Sequence, residues 1–305
     1  MKIFSILNFI KIHIGYLLKI NNRKVINDHI KTYNLYNSKI DLLNEQNLLD
    51  KINSFINYCY KYVPYYTNLF DRIDFEKNKG KIKIENFKEL EKIPILTKQI
   101  INKNFDKLTS TEFDTKTLTK NSSGGSTGRK AFFYQHKDHK NSHSSTFLAF
   151  LRIFGVRYWQ RKHLLIWGNQ DDLGNDTLPN NIYTHLLLND KVVLNASNLS
   201  EEELCKCTNI LKKIKFDYIR GYSQGILILA KYINENNINI KSQKLIVSTA
   251  TQLTHEMKLE INKAFNCKIV DFYGSREVGA ILLALETIFS IESHLLLPLA
   301  KGIVQ

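Results

Sequence analysis

Apolar residues in the first third of the chain recur every three or four positions. In LLDKINSFINYCYKYVPYYTNLF that spacing runs on until Pro64 interrupts it, which predicts a helix, a break and a short second helix. The charged stretch Glu76–Lys83 reads as a loop, and Asn86–Lys92 reads as another helix. In KIPILTKQIINKNF, Pro94 ends one element and Thr97 is placed to cap a helix that begins near Lys98. Residues 1 to about 105 are therefore expected to be mostly helical. From about 106 the pattern changes. Short β-prone runs at Thr117–Lys120 and Ala131–Tyr134 flank a glycine-rich segment, and a helical stretch follows from Asp138 to Phe154. His163–Trp167, Lys191–Leu194, Tyr218–Arg220, Lys244–Thr249 and Lys268–Phe272 read as strands. Helical stretches at Ser200–Lys213, Ser223–Asn234 and Thr254–Phe265 lie between the later strands. The alternation predicts the α/β class: a helical N-terminal region, then a sheet flanked by helices.

Composition narrows the function more than the fold. With 305 residues, 43% hydrophobic and 24% charged, the chain suits a folded protein with one large core and room for two domains or subdomains. The formal charge of +14 favours acidic partners such as phosphorylated small molecules, anionic lipid or nucleic acid. The lysines are spread among Asn and Ile, as an AT-rich coding sequence produces, and no nucleic-acid motif is visible, so no specific nucleic-acid partner is expected. Cys205 and Cys207 are too close for a usual zinc pair, and Cys59 and Cys267 suggest no disulfide framework, so a reducing, cytoplasmic location fits. The N-terminal MKIFSILNFIKIHIGYLLKI is broken by Asn8, Lys11 and His13 and lacks a cleavage site, which argues against a signal peptide or a spanning helix. Phe4, Leu7, Ile10, Ile14 and Leu17 share one helical face. That face suits packing on the body of the protein, or peripheral membrane contact with Lys2, Lys11 and Lys19 at its rim.

Candidate chemistry concentrates in two segments. NSSGGSTGRK, Asn121 to Lys130, sets Gly124, Gly125 and Gly128 among Ser122, Ser123, Ser126 and Thr127. Glycines let backbone amides turn inward, hydroxyls add donors, and Arg129 or Lys130 supplies a cation for phosphate oxygens. The spacing satisfies neither a Walker loop nor a dinucleotide fingerprint, and a plain surface turn joining two strands is the alternative. Far downstream, a β-run ends at Tyr273-Gly274-Ser275-Arg276-Glu277. There a tyrosine can stack on a base or fill a core, and Glu277 offers a hard oxygen ligand for Mg²⁺. His136, His139 and His143 lack a carboxylate or cysteine to complete a metal set and read as a solvated helix face. Asp171, Asp172 and Asp176 beside Gly174 and Asn175 read as turn chemistry. Trp167, Tyr183 and Tyr222 suit either an acyl pocket or core packing.

Taken together, SSGGSTGRK and YGSRE resemble the motifs of the adenylate-forming (AMP-binding) superfamily, in its phenylacetate–CoA ligase-like branch that includes CapK-type capsule-biosynthesis proteins. VPYYTNLF, IPILTKQIINKNF, GYSQGILILAKYI and STATQLTHEMKLEINKAF extend the resemblance from about residue 50 to residue 281. It implies an incomplete large domain of an adenylate-forming ligase, which activates a small carboxylic acid with ATP and Mg²⁺ and passes the acyl group to coenzyme A or another acceptor. By the same resemblance, Ser122–Lys130 would hold the phosphates, Lys130 and Glu277 would serve the reaction, Glu277 would ligate Mg²⁺, and Ala250, Thr251, Gln252, Tyr273 and Gly274 would hold the adenine.

The resemblance stops near Ile281. The tail ILLALETIFSIESHLLLPLAKGIVQ carries seven leucines, no asparagine and one lysine, unlike the Asn- and Lys-rich sequence before it. The domain expectation is thus 1–105 mostly helical, 106–281 an α/β nucleotide-binding core, and 282–305 an aberrant tail in place of the family's ribose-binding aspartate, hinge and lid domain with its lysine. A truncated or frame-shifted gene accounts for this most simply. The leading functional expectation is AMP-forming carboxylate activation, in capsule or related biosynthesis, impaired by truncation. The alternative is a non-catalytic remnant or binding protein.

Overall fold

The computed structural model describes residues 22–37, 45–78, 80–123, 130–160, 162–168, 178–277, 279–284 and 294–296. The expected N-terminal amphipathic face, Gly124 to Arg129 at the centre of the glycine segment, and the aspartates near 171–176 lie outside the described residues. The chain divides into two compact units, one built mainly from Ile30–Thr146 with Ser275–Ile281, the other mainly from Phe147–Gly274.

In the first unit the helical period does what it predicts. Helix α1 spans Asn22–Asn37 and α2 spans Glu45–Tyr62; α2 buries Leu49, Ile56 and Cys59 along one stripe. Pro64 opens α3 (Pro64–Phe70), a position whose amide has no helical partner and so loses nothing by being proline. Leu49, Ile56 and Cys59 pack with Phe70, Phe75, Ile82 and Ile84 in one apolar cluster. The stretch expected to be a loop is instead a small hairpin, β1 (Lys77–Asn78) paired antiparallel with β2 (Lys81–Ile82). Its signal is the alternation in KIKIE, which sends Ile82 and Ile84 inward, each 2% exposed, and the charges outward. Residues Phe87–Lys92 form a 3₁₀ turn rather than an α-helix. Thr97 caps α4 (Lys98–Lys103) by accepting from the Ile100 amide at 3.3 Å, as expected. Strands β3 (Thr119–Ser122) and β4 (Phe132–Gln135) then form an antiparallel ribbon, followed by α5 (Lys137–Ile153).

The second unit is organised by a parallel sheet. Strands β5 (His163–Trp167), β6 (Lys191–Asn195), β7 (Tyr218–Tyr222), β8 (Leu245–Thr249) and β9 (Lys268–Ser275) stand in the order β6-β5-β7-β8-β9, each pair parallel. Beyond β9 the sheet order continues with β10 (Gly279–Ala284) and β11 (His294–Leu296), an antiparallel pair. Helices α6 (Ile182–Leu188), α7 (Glu201–Lys213), α8 (Ser223–Glu235) and α9 (His255–Phe265) connect the strands. One sheet face carries Leu164, Ile166, Ile219 and Ile246, all 0% exposed, in a core with Leu211, Ile226, Leu229 and Ile261 from the helices. Close packing there requires Gly221, where a Cβ would sit 2.6 Å from that of Ile166. The opposite face receives Phe147 and Phe150 from α5, whose rings meet Phe272 at 5.6 and 5.7 Å. The expectation of a sheet flanked by helices therefore holds.

Candidate functional site

The candidate residues fall into two groups. In the first unit, β3 and β4 carry the glycine segment between them. Its base is closed by two bonds: the Ser123 amide donates to the Ala131 carbonyl at 2.8 Å, and the Ala131 amide donates to Ser123 Oγ at 2.9 Å. Ser123 is thus a clasp at the foot of the loop. Ser122 is half-buried, and its amide is taken by Asn121 Oδ1 at 2.8 Å. Lys130 is exposed, and no carboxylate among the described residues pairs with it.

Asn102 on α4 holds the exit of the loop at two points. Its Nδ2 donates to the Lys130 carbonyl at 2.8 Å, and its Oδ1 accepts from the Phe132 amide at 3.2 Å. Nothing in IINKNF marks that role, because a side-chain amide reads as surface until the strand it grips is in place.

The same ribbon also grips the downstream motif. Asn121 Nδ2 donates to Gln135 Oε1 at 2.9 Å, and Gln135 Nε2 in turn donates to the carbonyl of Arg276. Burial lowers the pKa of His139 from the usual 6.5, the nearby Glu277 backbone opposing the shift, and its Nε2 is buried without a hydrogen-bond partner among the described residues. The three histidines are therefore not the solvated face expected from sequence. His139 and His143 are half-buried, and His136 stacks on Phe113 with ring centroids 5.0 Å apart. Among the described residues no cluster of His, Cys, Asp and Glu could hold a metal. The Glu277 carboxylate is exposed and carries no bond or ion pair among the described residues. One unspent carboxylate fits a cation held mainly by phosphate oxygens and water, the usual manner for Mg²⁺, and does not fit a metal caged by protein alone.

The second group lies at the carboxyl ends of neighbouring parallel strands, where open α/β sheets bind their ligands. Ala250, Thr251 and Gln252 follow β8 and are exposed. Ser223, the first residue of α8, holds that turn. Its Oγ bonds Ser248 Oγ at 2.7 Å and lies 3.1 and 2.7 Å from the Thr249 and Thr251 carbonyls. So pinned, Ala250 adopts φ +79°, a left-handed conformation that costs a residue with a Cβ about 1–3 kcal/mol. Tyr273 and Gly274 extend β9, the strand next to β8, and Gly274 is exposed. Trp167 ends β5 and Tyr222 ends β7, with ring centroids 4.5 Å apart. Tyr183, by contrast, is 51% exposed at the start of α6 and joins neither a core nor this pair. All four thiols are unpaired, and burial pushes those of Cys207 and Cys267 up to about 12, which removes them as nucleophiles.

No family model matches the chain. It is similar to Protein CapK of Staphylococcus aureus, 26% identical over 238 residues, which cover 78% of this chain and 51% of CapK. The chain thus spans about half the length of that curated relative. Among solved structures it superposes on 2-hydroxyisobutyryl-CoA ligase in the postadenylation state with 2-HIB-AMP, at a TM-score of 0.59 and 12% identity, over 81% of this chain and 52% of the ligase. It also superposes on an open conformation of that ligase with 2-HIB-AMP and CoA, at a TM-score of 0.53 and 12% identity, over 79% of this chain and 56% of the other. The resemblance read from two short motifs is borne out: the sequence is CapK-like and the fold is that of an adenylate-forming CoA ligase. No helix among the described residues is long and apolar enough to cross a membrane.

Proposed function

We propose that this chain carries the nucleotide-binding part of an AMP-forming carboxylate ligase. The observation that supports it best is the bridge from Asn121 through Gln135 to the Arg276 carbonyl. It joins the foot of the glycine loop to the turn that holds Glu277, 141 residues away from Gln135 in sequence terms. The two motifs of the family are thereby tied into one cluster by bonds that neither motif needs for its own local structure.

In this reading a carboxylate oxygen attacks the α-phosphorus of ATP, and the bond to pyrophosphate breaks. Both reactants are anionic, so the approach costs Coulomb energy unless fixed charges and dipoles offset it. Ser122, Ser123 and Lys130, with the glycine amides between them, would hold the leaving phosphates. Magnesium supplies charge neutralisation across those phosphates when bound, and Glu277 would hold it. Thr251 and Gln252 beside Ala250, with Tyr273 and Gly274, would form the adenine end. We extend the reading to a role in capsule or surface-polysaccharide biosynthesis, with coenzyme A as one acceptor; the similar fold of a ligase bound to CoA supports the acceptor.

ATP–pyrophosphate exchange with a panel of acids tests the reading. Exchange is expected from the parent chain, and Glu277→Ala should lower it by about 10²–10³ without changing the unfolding midpoint. Tight ATP binding with no exchange for any acid would point instead to a nucleotide-binding protein without ligase chemistry. Exchange that survives Glu277→Ala undiminished would remove Glu277 from the site.

A further inference from the structure

Arg220 sits in the middle of β7, on the sheet face that α5 covers, level with Leu165 on β5 and Val247 on β8. Its guanidinium carbon lies 4.3 Å from the ring centroid of Phe147, 5.4 Å from that of Phe272 and 5.6 Å from that of Trp167. Nε is buried with no hydrogen-bond partner. Among the described residues no hydrogen bond or ion pair reaches the rest of the fork, and Arg220 as a whole is half-buried. Aromatic faces compensate a cation only in part, at about 0.5–2 kcal/mol per contact. A desolvated ion without a counter-charge costs several kcal/mol. The arrangement is therefore incomplete as a purely structural one.

Position suggests what completes it. Arg220 lies two residues before Tyr222, and Tyr222 and Trp167 close the carboxyl ends of adjacent strands. An anion entering at the strand ends would find aromatic walls and a planar donor fork behind them, a geometry suited to carboxylate. We propose that Arg220 receives a second carboxylate on the acid substrate, which makes the substrate class dicarboxylic acids rather than simple monoacids. The proposal rests on the ligase reading above, since it assigns the other carboxylate to adenylation.

Calorimetric titration of the full chain with three matched pairs tests it: butyrate and succinate, hexanoate and adipate, benzoate and isophthalate. The diacid of at least one pair should bind about 10- to 100-fold more tightly than its monoacid, as expected for hydrogen bonds to a charged group. Arg220→Met should abolish that preference, and Arg220→Gln, which keeps donors at similar reach, serves if the methionine variant does not fold. No preference in any pair for the wild type, or a preference that survives in both variants, overturns the proposal. Pyrophosphate exchange with the same acids separates it from the ligase reading. Diacid binding without exchange keeps Arg220 as a receptor and removes the ligase chemistry. Exchange supported equally by monoacids keeps the ligase and removes the receptor.

Discussion

The two units satisfy their backbones by different means. In the parallel sheet, amides and carbonyls are used by neighbouring strands, and aliphatic residues from both sheet and helices seal the result. In the other unit the strands are two to four residues long, and side-chain amides do what a neighbouring strand would do. Asn57 gives Nδ2 to the Ile82 carbonyl at 2.8 Å and takes the Ile82 amide at 2.9 Å. Asn53, one turn earlier, does the same for Ile84 at 2.9 and 2.7 Å. Asn102 repeats the device at Lys130 and Phe132. An asparagine amide presents a donor and an acceptor at the spacing of a peptide edge, so it can dock a strand to a helix without a sheet. Asparagines that composition alone attributes to coding bias thus perform a specific structural task in one unit.

The contrast has measurable consequences. Ile219→Ala opens a cavity in the sheet core at a residue that is 0% exposed, and should cost about 2–5 kcal/mol in urea unfolding. Asn57→Ala leaves an amide and a carbonyl of Ile82 unpaired, for about 1–3 kcal/mol. The Ile82 and Ile84 amides should then exchange with deuterium faster while sheet amides keep their protection. Unchanged exchange at both would show that the clasp is ornamental. Asn57→Asp keeps the acceptor and loses the donor, so it should fall between the two.

Acid should weaken both units through one desolvated histidine each, His29 fully buried and His139 half-buried. His29 is 0% exposed, and burial lowers its pKa from the usual 6.5, the Arg152 charge acting the same way. Below pH 6.5 the unfolded chain then binds more protons than the folded one. Stability is accordingly full above that pH and falls as pH drops through the window down to the folded value, at no more than about 1.4 kcal/mol per pH unit for each group. His139 shifts in the same direction. Melting temperatures across this range should therefore show a slope that His29→Leu reduces and the double change with His139→Gln removes. The smallest effect is expected at Ala250. Glycine there relieves the positive φ but adds chain entropy, for a net gain of a few tenths to about 1 kcal/mol. A loss in thermal stability would mean that the Ser223 clasp, not strain, governs the turn.

Most elements were legible before any coordinates. The strands of the parallel sheet read as apolar runs, and the helices between them carried their own caps: Ser200 and Thr254 each accept from an amide three residues on. The hairpin at Lys77–Ile82 was missed because charged residues at alternate positions masked a two-residue period only a few residues long. Ser122, Lys130 and Glu277 were candidates from residue type and order. Asn102, Gln135 and Ser223 were not, since each acts by gripping backbone that is distant in sequence.

Periodicity, caps and the order of the two motifs are local properties, and the amino-acid sequence alone establishes them: an α/β chain with a glycine-rich loop and a distant Tyr-Gly-Ser-Arg-Glu turn. Which groups remain unspent is a different kind of fact. The Glu277 carboxylate and the Arg220 fork among three rings, both unclaimed among the described residues, and the forced turn at Ala250 follow only from strand register and from which side chains the folded backbone already occupies. A hydrogen-bonding group is available for chemistry when nothing else has claimed it, and that depends on neighbours no local pattern names.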